Sequence, residues 1–268
     1  MKLSNHIQGS SRKPVRLRTA WAAPLSLLAG LALWQILSVG LNLPAFILPG
    51  PGLVWQRLLR ALGDGSLLRH AGYTLEEVML GLLLGASLAT GLGYLLAKSR
   101  LLERILAPYL VASQAIPIVA VAPLLVIWFG PGMFSKILIC ALIVFFPVLV
   151  NTVVGLRAVP ENLRDLMRSL QATRLQMLRF LEIPAALPVF LGGLRIGATL
   201  SVIGAVVGEF VGADRGLGFL INVSKGQYDT SLVFVAIFTL VVMALGLYGA
   251  VVLLETRLLA WQQQTEKE

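Results

Sequence analysis

Six long apolar runs decide what this chain can fold into: Trp21–Leu43, Val78–Leu96, Ile105–Phe129, Ile137–Leu156, Leu187–Val207 and Leu232–Leu254. A helix needs about 20 apolar residues to cross roughly 30 Å of hydrocarbon, and each run is close to that length. Of the 268 residues 57% are hydrophobic and only 13% charged, far more apolar surface than one soluble core can hide. The predicted fold is therefore all-α, a polytopic membrane bundle of six transmembrane helices. The single cysteine, Cys140, lies inside an apolar run, which excludes a disulfide framework within the chain and reads as a small core residue.

The distribution of charge sets the expected orientation. With the N-terminus inside, sixteen of the 22 Lys and Arg fall on the cytoplasmic side: five in the first 19 residues, then Lys98, Arg100 and Arg104, the six from Arg157 to Arg195, and Arg257 and Lys267. Arg57, Arg60, Arg69, Lys136, Arg215 and Lys225 fall outside, and the asymmetry places both termini in the cytoplasm. The excess of basic residues is thus a property of membrane loops, with lipid as the partner, and not of a nucleic-acid binder. The first run has 23 residues, longer than the apolar core of a cleavable signal, and no small-residue cleavage site is evident near its end, so a retained anchor is expected. The expected organisation is a basic cytoplasmic tail over 1–19, one transmembrane domain over 20–256 and a cytoplasmic tail over 257–268.

Between the runs, Pro51–Leu62 places Leu53, Val54, Leu58, Leu59 and Leu62 on a helical period, as an amphipathic helix along the outer interface would. Gly81, Gly85, Ala89 and Gly93, and likewise Gly193, Gly197, Ser201 and Ala205, form stripes of small residues at every fourth position. Such stripes let helix backbones approach closely in lipid. Pro117 and Pro123 predict a kink in the third crossing, beside an aqueous path.

The most informative segment lies between the fourth and fifth runs. Leu163, Leu166, Met167 and Leu170 share one helical face, with Arg164, Asp165 and Arg168 elsewhere. Met177, Phe180 and Leu181 repeat the spacing before Pro184 and Pro188, which are expected to interrupt the chain where the fifth crossing begins. Helix, turn, helix, then membrane is the predicted order. On the residues alone, this hairpin suits equally an anionic lipid surface and the groove of a soluble partner.

The hairpin resembles the cytoplasmic coupling loop of permease subunits of binding-protein-dependent ABC importers. That pattern reads Glu-Ala-Ala, three residues, Gly, nine residues, Ile-x-Leu-Pro. Asp165, Leu166 and Met167 stand at the Glu-Ala-Ala positions, Gln171 at the glycine, and Leu181, Ile183 and Pro184 at the end. Gln171 is the departure, because glycine there permits a left-handed turn. The stretches AVAPLLVIWFGPGMFSKI at 120–137, GGLRIG at 192–197 and GEFVGADRGLGFLI at 208–221 resemble the branch that includes nitrate, sulfonate and taurine permeases and relatives for thiamine-precursor pyrimidines and riboflavin. The resemblance implies a coupling helix between crossings four and five and a second permease copy, giving a homodimer. It also implies a separate ATPase subunit carrying ATP and magnesium, an extracytoplasmic binding protein, and a place in the bacterial inner membrane. The cargo it implies is a small solute, with a sulfonate or similar anion foremost.

The chemistry the sequence lacks agrees with a non-catalytic subunit. No phosphate loop occurs, and His6 and His70 have no second ligand at metal spacing, so neither a cofactor nor a metal is expected in this chain. No histidine or deep lysine stands in a crossing to activate a serine or threonine. Polar residues in the crossings, Ser113, Gln114, Asn151, Thr199 and Ser201, together with Pro117 and Glu209, are candidates for pathway or gate, against the alternative of interhelical hydrogen bonding. Arg195, about eight residues into the fifth crossing, is expected to brace the hairpin against the bundle. A rival reading, an ion-gradient-driven transporter or channel, would use an embedded carboxylate; Glu209, with Glu76 and Glu77 at the mouth of the second crossing, are its candidates.

Overall fold

A computed structural model of the chain describes residues 22–41 and 44–260. The basic tail 1–19, His6, Trp21 and Leu43 at the ends of the first run, and residues 261–268 of the C-terminal tail lie outside the described residues. The rest is helical: α1 (Ala22–Gly40), α2 (Pro51–Gly63), α3 (Ser66–Lys98), α4 (Arg100–Gln114), α5 (Ile118–Phe129), α6 (Met133–Arg157), α7 (Glu161–Ser169), α8 (Arg174–Met177), α9 (Ile183–Gly212), α10 (Leu217–Gly226) and α11 (Thr230–Leu258). A π turn, Leu178–Glu182, joins α8 to α9.

Among the described residues, four helical stretches are long and apolar enough to cross a membrane: Ser66–Lys98, Met133–Arg157, Arg174–Gly212 and Thr230–Leu258. They correspond to the second, fourth, fifth and sixth predicted crossings, and α3 extends the second by about three turns on its N-terminal side. The third prediction, Ile105–Phe129 as one kinked rod, is corrected: α4 and α5 meet at 95°, and only together do they make a fifth span. Pro117 has no N–H to continue α4 and holds the residue before it out of helical conformation, so the chain restarts as α5 with Pro117 as its N-cap. Pro123, by contrast, is accommodated inside α5. The first predicted crossing is described as α1, whose apolar part Pro24–Gly40 rises about 26 Å, short of the hydrocarbon thickness. The amphipathic stretch after it is indeed helical: α2 starts on Pro51, buries Val54 and Ala61, and pairs Arg57 Nε with Asp229 Oδ2 at 2.8 Å, the carboxylate that also caps α11.

The core is a cluster of three helices, α3, α6 and α9, each packed on the other two. Every fourth residue of α6, from Lys136 through Cys140, Val144 and Val148 to Thr152, is buried. The small-residue stripes of α3 and α9 both pack against this ridge, as i±4 rows pack into grooves. A Cβ at Gly85 would stand 2.6 Å from the Ala141 carbonyl oxygen, and one at Gly204 would stand 2.9 Å from Cys140 Cα. Only residues without that atom let the backbones come so near. Outside this core, α11 lies against α9 and α10, and Trp34 of α1 stacks on Phe234 with ring centroids 5.3 Å apart.

Candidate coupling hairpin and buried charges

The hairpin between α6 and α9 forms as its sequence directs. α7 ends in a Schellman motif: Ala172 N donates to Met167 O at 3.0 Å and Gln171 N to Arg168 O at 2.9 Å. That motif needs a left-handed residue, and Gln171 supplies it with φ +56° despite its Cβ. The glutamine at the glycine position therefore keeps the turn. Thr173 then opens α8 with a capping box, accepting from Gln176 N at 3.3 Å while Gln176 Oε1 accepts from Thr173 N at 2.8 Å. Asp165 pairs with Arg168 at 2.7 Å, and that hydrogen bond first, Glu161's second, holds the Arg168 guanidinium above its ordinary value.

The expected interruption at Pro184 and Pro188 is corrected. From Arg174 to Gly212 the helix is continuous, because the missing N–H of Pro184 is absorbed one residue earlier: Ile183 N bonds to Leu178 O, five residues back. Leu181, Ile183 and Pro184 are thus part of a rigid shaft and not of a flexible entry. The hairpin's apolar face is open: Leu166 is 55%, Leu170 69% and Leu175 71% exposed, while Met167 is partly covered.

At the hairpin end of the bundle the π turn carries Glu182 into the core. Its carboxylate, 1% exposed, accepts from Lys98 Nζ at the end of α3 and lies 3.9 Å from Arg164 Nε of α7. Arg164 Nη2 also donates to Leu156 O at 2.7 Å, and Arg157 forks onto Glu103 at 2.7 and 2.6 Å. The ends of α3, α4, α6, α7 and α9 beside the hairpin are thereby cross-tied.

The opposite end of the bundle holds a second cluster. The stripe of α3 continues outward to Glu77, that of α9 to Glu209, and the ridge of α6 begins at Lys136, so the three charges converge where the backbones are closest. Glu209 receives Thr74 Oγ1 at 2.7 Å and the N–H of Gly218; Thr74 Oγ1 accepts Leu217 N at 2.8 Å, and His70 Nδ1 accepts Gly216 N at 3.1 Å. The first free N–H groups of α10 are thus capped by three side chains from other helices, with a carboxylate at the positive end of its dipole. Lys136 Nζ donates to the carbonyls of Pro131 and Gly212, the latter at the C-terminus of α9. Glu77 lies within hydrogen-bonding reach of Glu209, with one carboxylate oxygen unpartnered.

The sequence candidates divide. Ser113, Gln114 and Pro117 stand together at the α4–α5 bend, where Gln114 and Pro117 are exposed. Asn151 is half-buried, bonds to Pro147 O of its own helix and fills the space above Gly193. Thr199 bonds to Ile196 O on a half-exposed face, whereas Ser201 and Glu209 are fully buried within this one chain. Arg195 pairs with Glu255 near the end of α11 and lies over the Tyr248 ring. Sequence reasoning misses Glu182, Thr74 and Lys136 as members of these clusters. Extending the every-fourth-residue stripes by one step would have found Glu77 and Glu209 as a pair.

The comparisons with known proteins bear on this arrangement. The family described as the binding-protein-dependent transport system inner membrane component matches residues 81–260. The riboflavin transport system permease protein RibX of Chloroflexus aurantiacus is 48% identical over 91% of this chain and 92% of its own. The formylaminopyrimidine transport permease protein ThiX of Halalkalibacterium halodurans is 36% identical over 87% of this chain and 93% of its own. In fold, the inward-facing MetNI methionine ABC transporter aligns with a TM-score of 0.65 at 20% identity, covering 73% of this chain and 97% of that one. A membrane-embedded helical chain matched over residues 81–260, with a relative 48% identical along nine-tenths of its length, belongs to the inner membrane components of binding-protein-dependent transport systems, the permease subunits of ABC importers.

Proposed function

We propose that this chain dimerises in the bacterial inner membrane with both termini in the cytoplasm, and that an ATPase subunit docks on each 161–182 hairpin while a binding protein delivers cargo at the outer face. The single observation that carries this reading is the hairpin itself, with its apolar side chains exposed on α7 and α8 and its second arm continuous with a spanning helix. An uncovered apolar face beside a charged one suits insertion into the groove of a soluble partner. Approach of two ATPases on binding ATP and magnesium would push the hairpin, and α9 would carry that displacement into the bundle. Ser113, Gln114 and Pro117 at the α4–α5 bend are the pathway residues this reading favours, since they face outward from a single chain.

For the cargo, the identities to permeases named for riboflavin and formylaminopyrimidine favour a small, flat nitrogen heterocycle over a sulfonate anion. Uptake of labelled riboflavin and of taurine, by cells carrying this chain with its neighbouring ATPase and binding protein, tests both parts. Asp165→Lys or Leu166→Asp should abolish uptake while the protein stays in the membrane. Normal uptake by well-expressed variants refutes the docking assignment, and uptake of taurine but not riboflavin refutes the cargo.

A further inference from the structure

We propose that Glu182 is the positioning residue that locks the coupling hairpin to the inner ends of α3 and α9, so that a push on α7 moves all three as one body. This rests on the coupling reading above and names the part that transmits it.

The hairpin is otherwise a cantilever. None of the residues of α7 is buried, and α7 joins the rest through chain continuity at either end and through Arg164. Arg164 donates Nη2 to Leu156 O at the end of α6, and its Nε faces Glu182 at 3.9 Å, too long for a hydrogen bond. Glu182 is held on the other side by Lys98, the last residue of α3. One carboxylate therefore stands between three elements: the α7 arm, the end of α3 and the π turn that begins α9.

Two features show that this is more than a surface ion pair. Glu182 is 1% exposed although it belongs to a segment whose neighbours Leu178, Arg179 and Phe180 are half-buried or exposed; the five-residue turn is what rotates it inward. The triad is also incomplete. Arg164 Nε is buried without a hydrogen-bond partner 3.9 Å from Glu182 Oε1, and Glu182 Oε2 is likewise unpartnered, so a displacement of about 1 Å would bring the guanidinium onto the carboxylate as a charge-assisted bond. Buried polar groups left open in this way are rare and costly, so the arrangement favours a second state in which α7 has advanced on α9. In that state the guanidinium completes its contact with the carboxylate, and Lys98 draws the end of α3 along with it.

The test uses the permease co-purified with its ATPase, in lipid nanodiscs, and requires no cargo. A cysteine at Gln114→Cys reports the α4–α5 bend through its maleimide labelling rate, Cys140 being buried. Rates are compared in ADP and after trapping with ATP and vanadate. In the otherwise unsubstituted chain the two states should differ by about fivefold or more, the lower end of ordinary coupling between sites. Glu182→Gln should abolish the difference while the ATPase still co-purifies and still traps nucleotide, and Glu182→Asp should restore most of it. Lys98→Gln, which removes a half-exposed partner and leaves the buried carboxylate in place, should weaken the difference in the same direction and guards against a mere folding defect. Unchanged nucleotide dependence in Glu182→Gln overturns the proposal, as does loss of the ATPase from that variant alone, which would make Glu182 a docking residue. Failure of the unsubstituted chain to retain an ATPase or to show nucleotide-dependent labelling would instead bring down the coupling reading, and the proposal with it.

Discussion

Gly85→Ala is the sharpest test of the three-helix core. The added Cβ would stand 2.6 Å from the Ala141 carbonyl oxygen and 2.9 Å from Ala141 Cα, well inside ordinary contact. Both obstacles are backbone, so no side chain can swing away, and α3 must retreat from α6 by roughly 0.8 Å. A gap of that size forfeits about a quarter to a half of the dispersion energy of each affected contact. Overpacking of this kind costs about 1–3 kcal/mol, against a helix-propensity gain of about 1 kcal/mol for replacing glycine by alanine. The balance of those two figures is a net loss of up to about 2 kcal/mol. Gly72, on the same helix, is the control, because a Cβ there meets no described atom within 4 Å and only the gain remains. Cys140, the only cysteine and fully buried between α3 and α9, is a built-in reporter: a thiol-reactive fluorophore lights up as the bundle opens on heating in detergent. The midpoint for Gly85→Ala should lie about 2–12 °C below that for Gly72→Ala, which itself should not fall. Equal midpoints, or an equal fall in both, would refute the close approach of α3 to α6.

Three further outcomes are expected. Gln171→Val puts a β-branched residue into the left-handed turn at a cost of about 1–2 kcal/mol, so hydrogen exchange at the Ala172 amide should quicken about tenfold, whereas Gln171→Gly should not quicken it. Thr74→Val leaves Leu217 N–H without an acceptor and removes one of Glu209's two donors, a loss of about 1–3 kcal/mol visible in the Cys140 midpoint, and Thr74→Ser should recover most of it. Glu255→Gln strands the Arg195 guanidinium, so that variant should be less stable than Arg195→Gln/Glu255→Gln; losses that simply add would show the two are not partners.

Four of the six crossings and the helix–turn–helix are legible in the sequence because each is a local pattern: apolar length for the former, a four-residue apolar period with a turn for the latter. What escapes is set by proline in context. Pro117 and Pro184 carry the same missing N–H, yet one ends a helix at a right angle and the other is absorbed in a π turn. The difference lies in the acceptors the neighbouring amides find, since Ile183 N reaches Leu178 O five residues back while Ala115 N closes α4 on Ala112 and Ser113. Loop statistics place Lys136 among the outer-loop charges, whereas it is a buried lysine bonded to the carbonyls of Pro131 and Gly212. Proximity in sequence ties Arg195 to the hairpin, whereas its acid stands 60 residues away on α11. Charges inside a bundle choose partners by helix packing, and nothing in their spacing along the chain reveals it.

The convergence of Glu77, Lys136 and Glu209 on three separate helices constrains biogenesis. Lys136 and Glu209 stand in the first turn of α6 and the last turn of α9, so each finds its partners only when the other helices pack. The countercharges arrive in chain order, acid, base, acid, with the last supplied only when α9 has been synthesised. An α3 released into lipid before α6 emerges would present Glu77 without its base. The three segments are therefore expected to be retained together, and a nascent chain truncated after α3 should stay in contact with the insertion machinery longer than one that extends through α9.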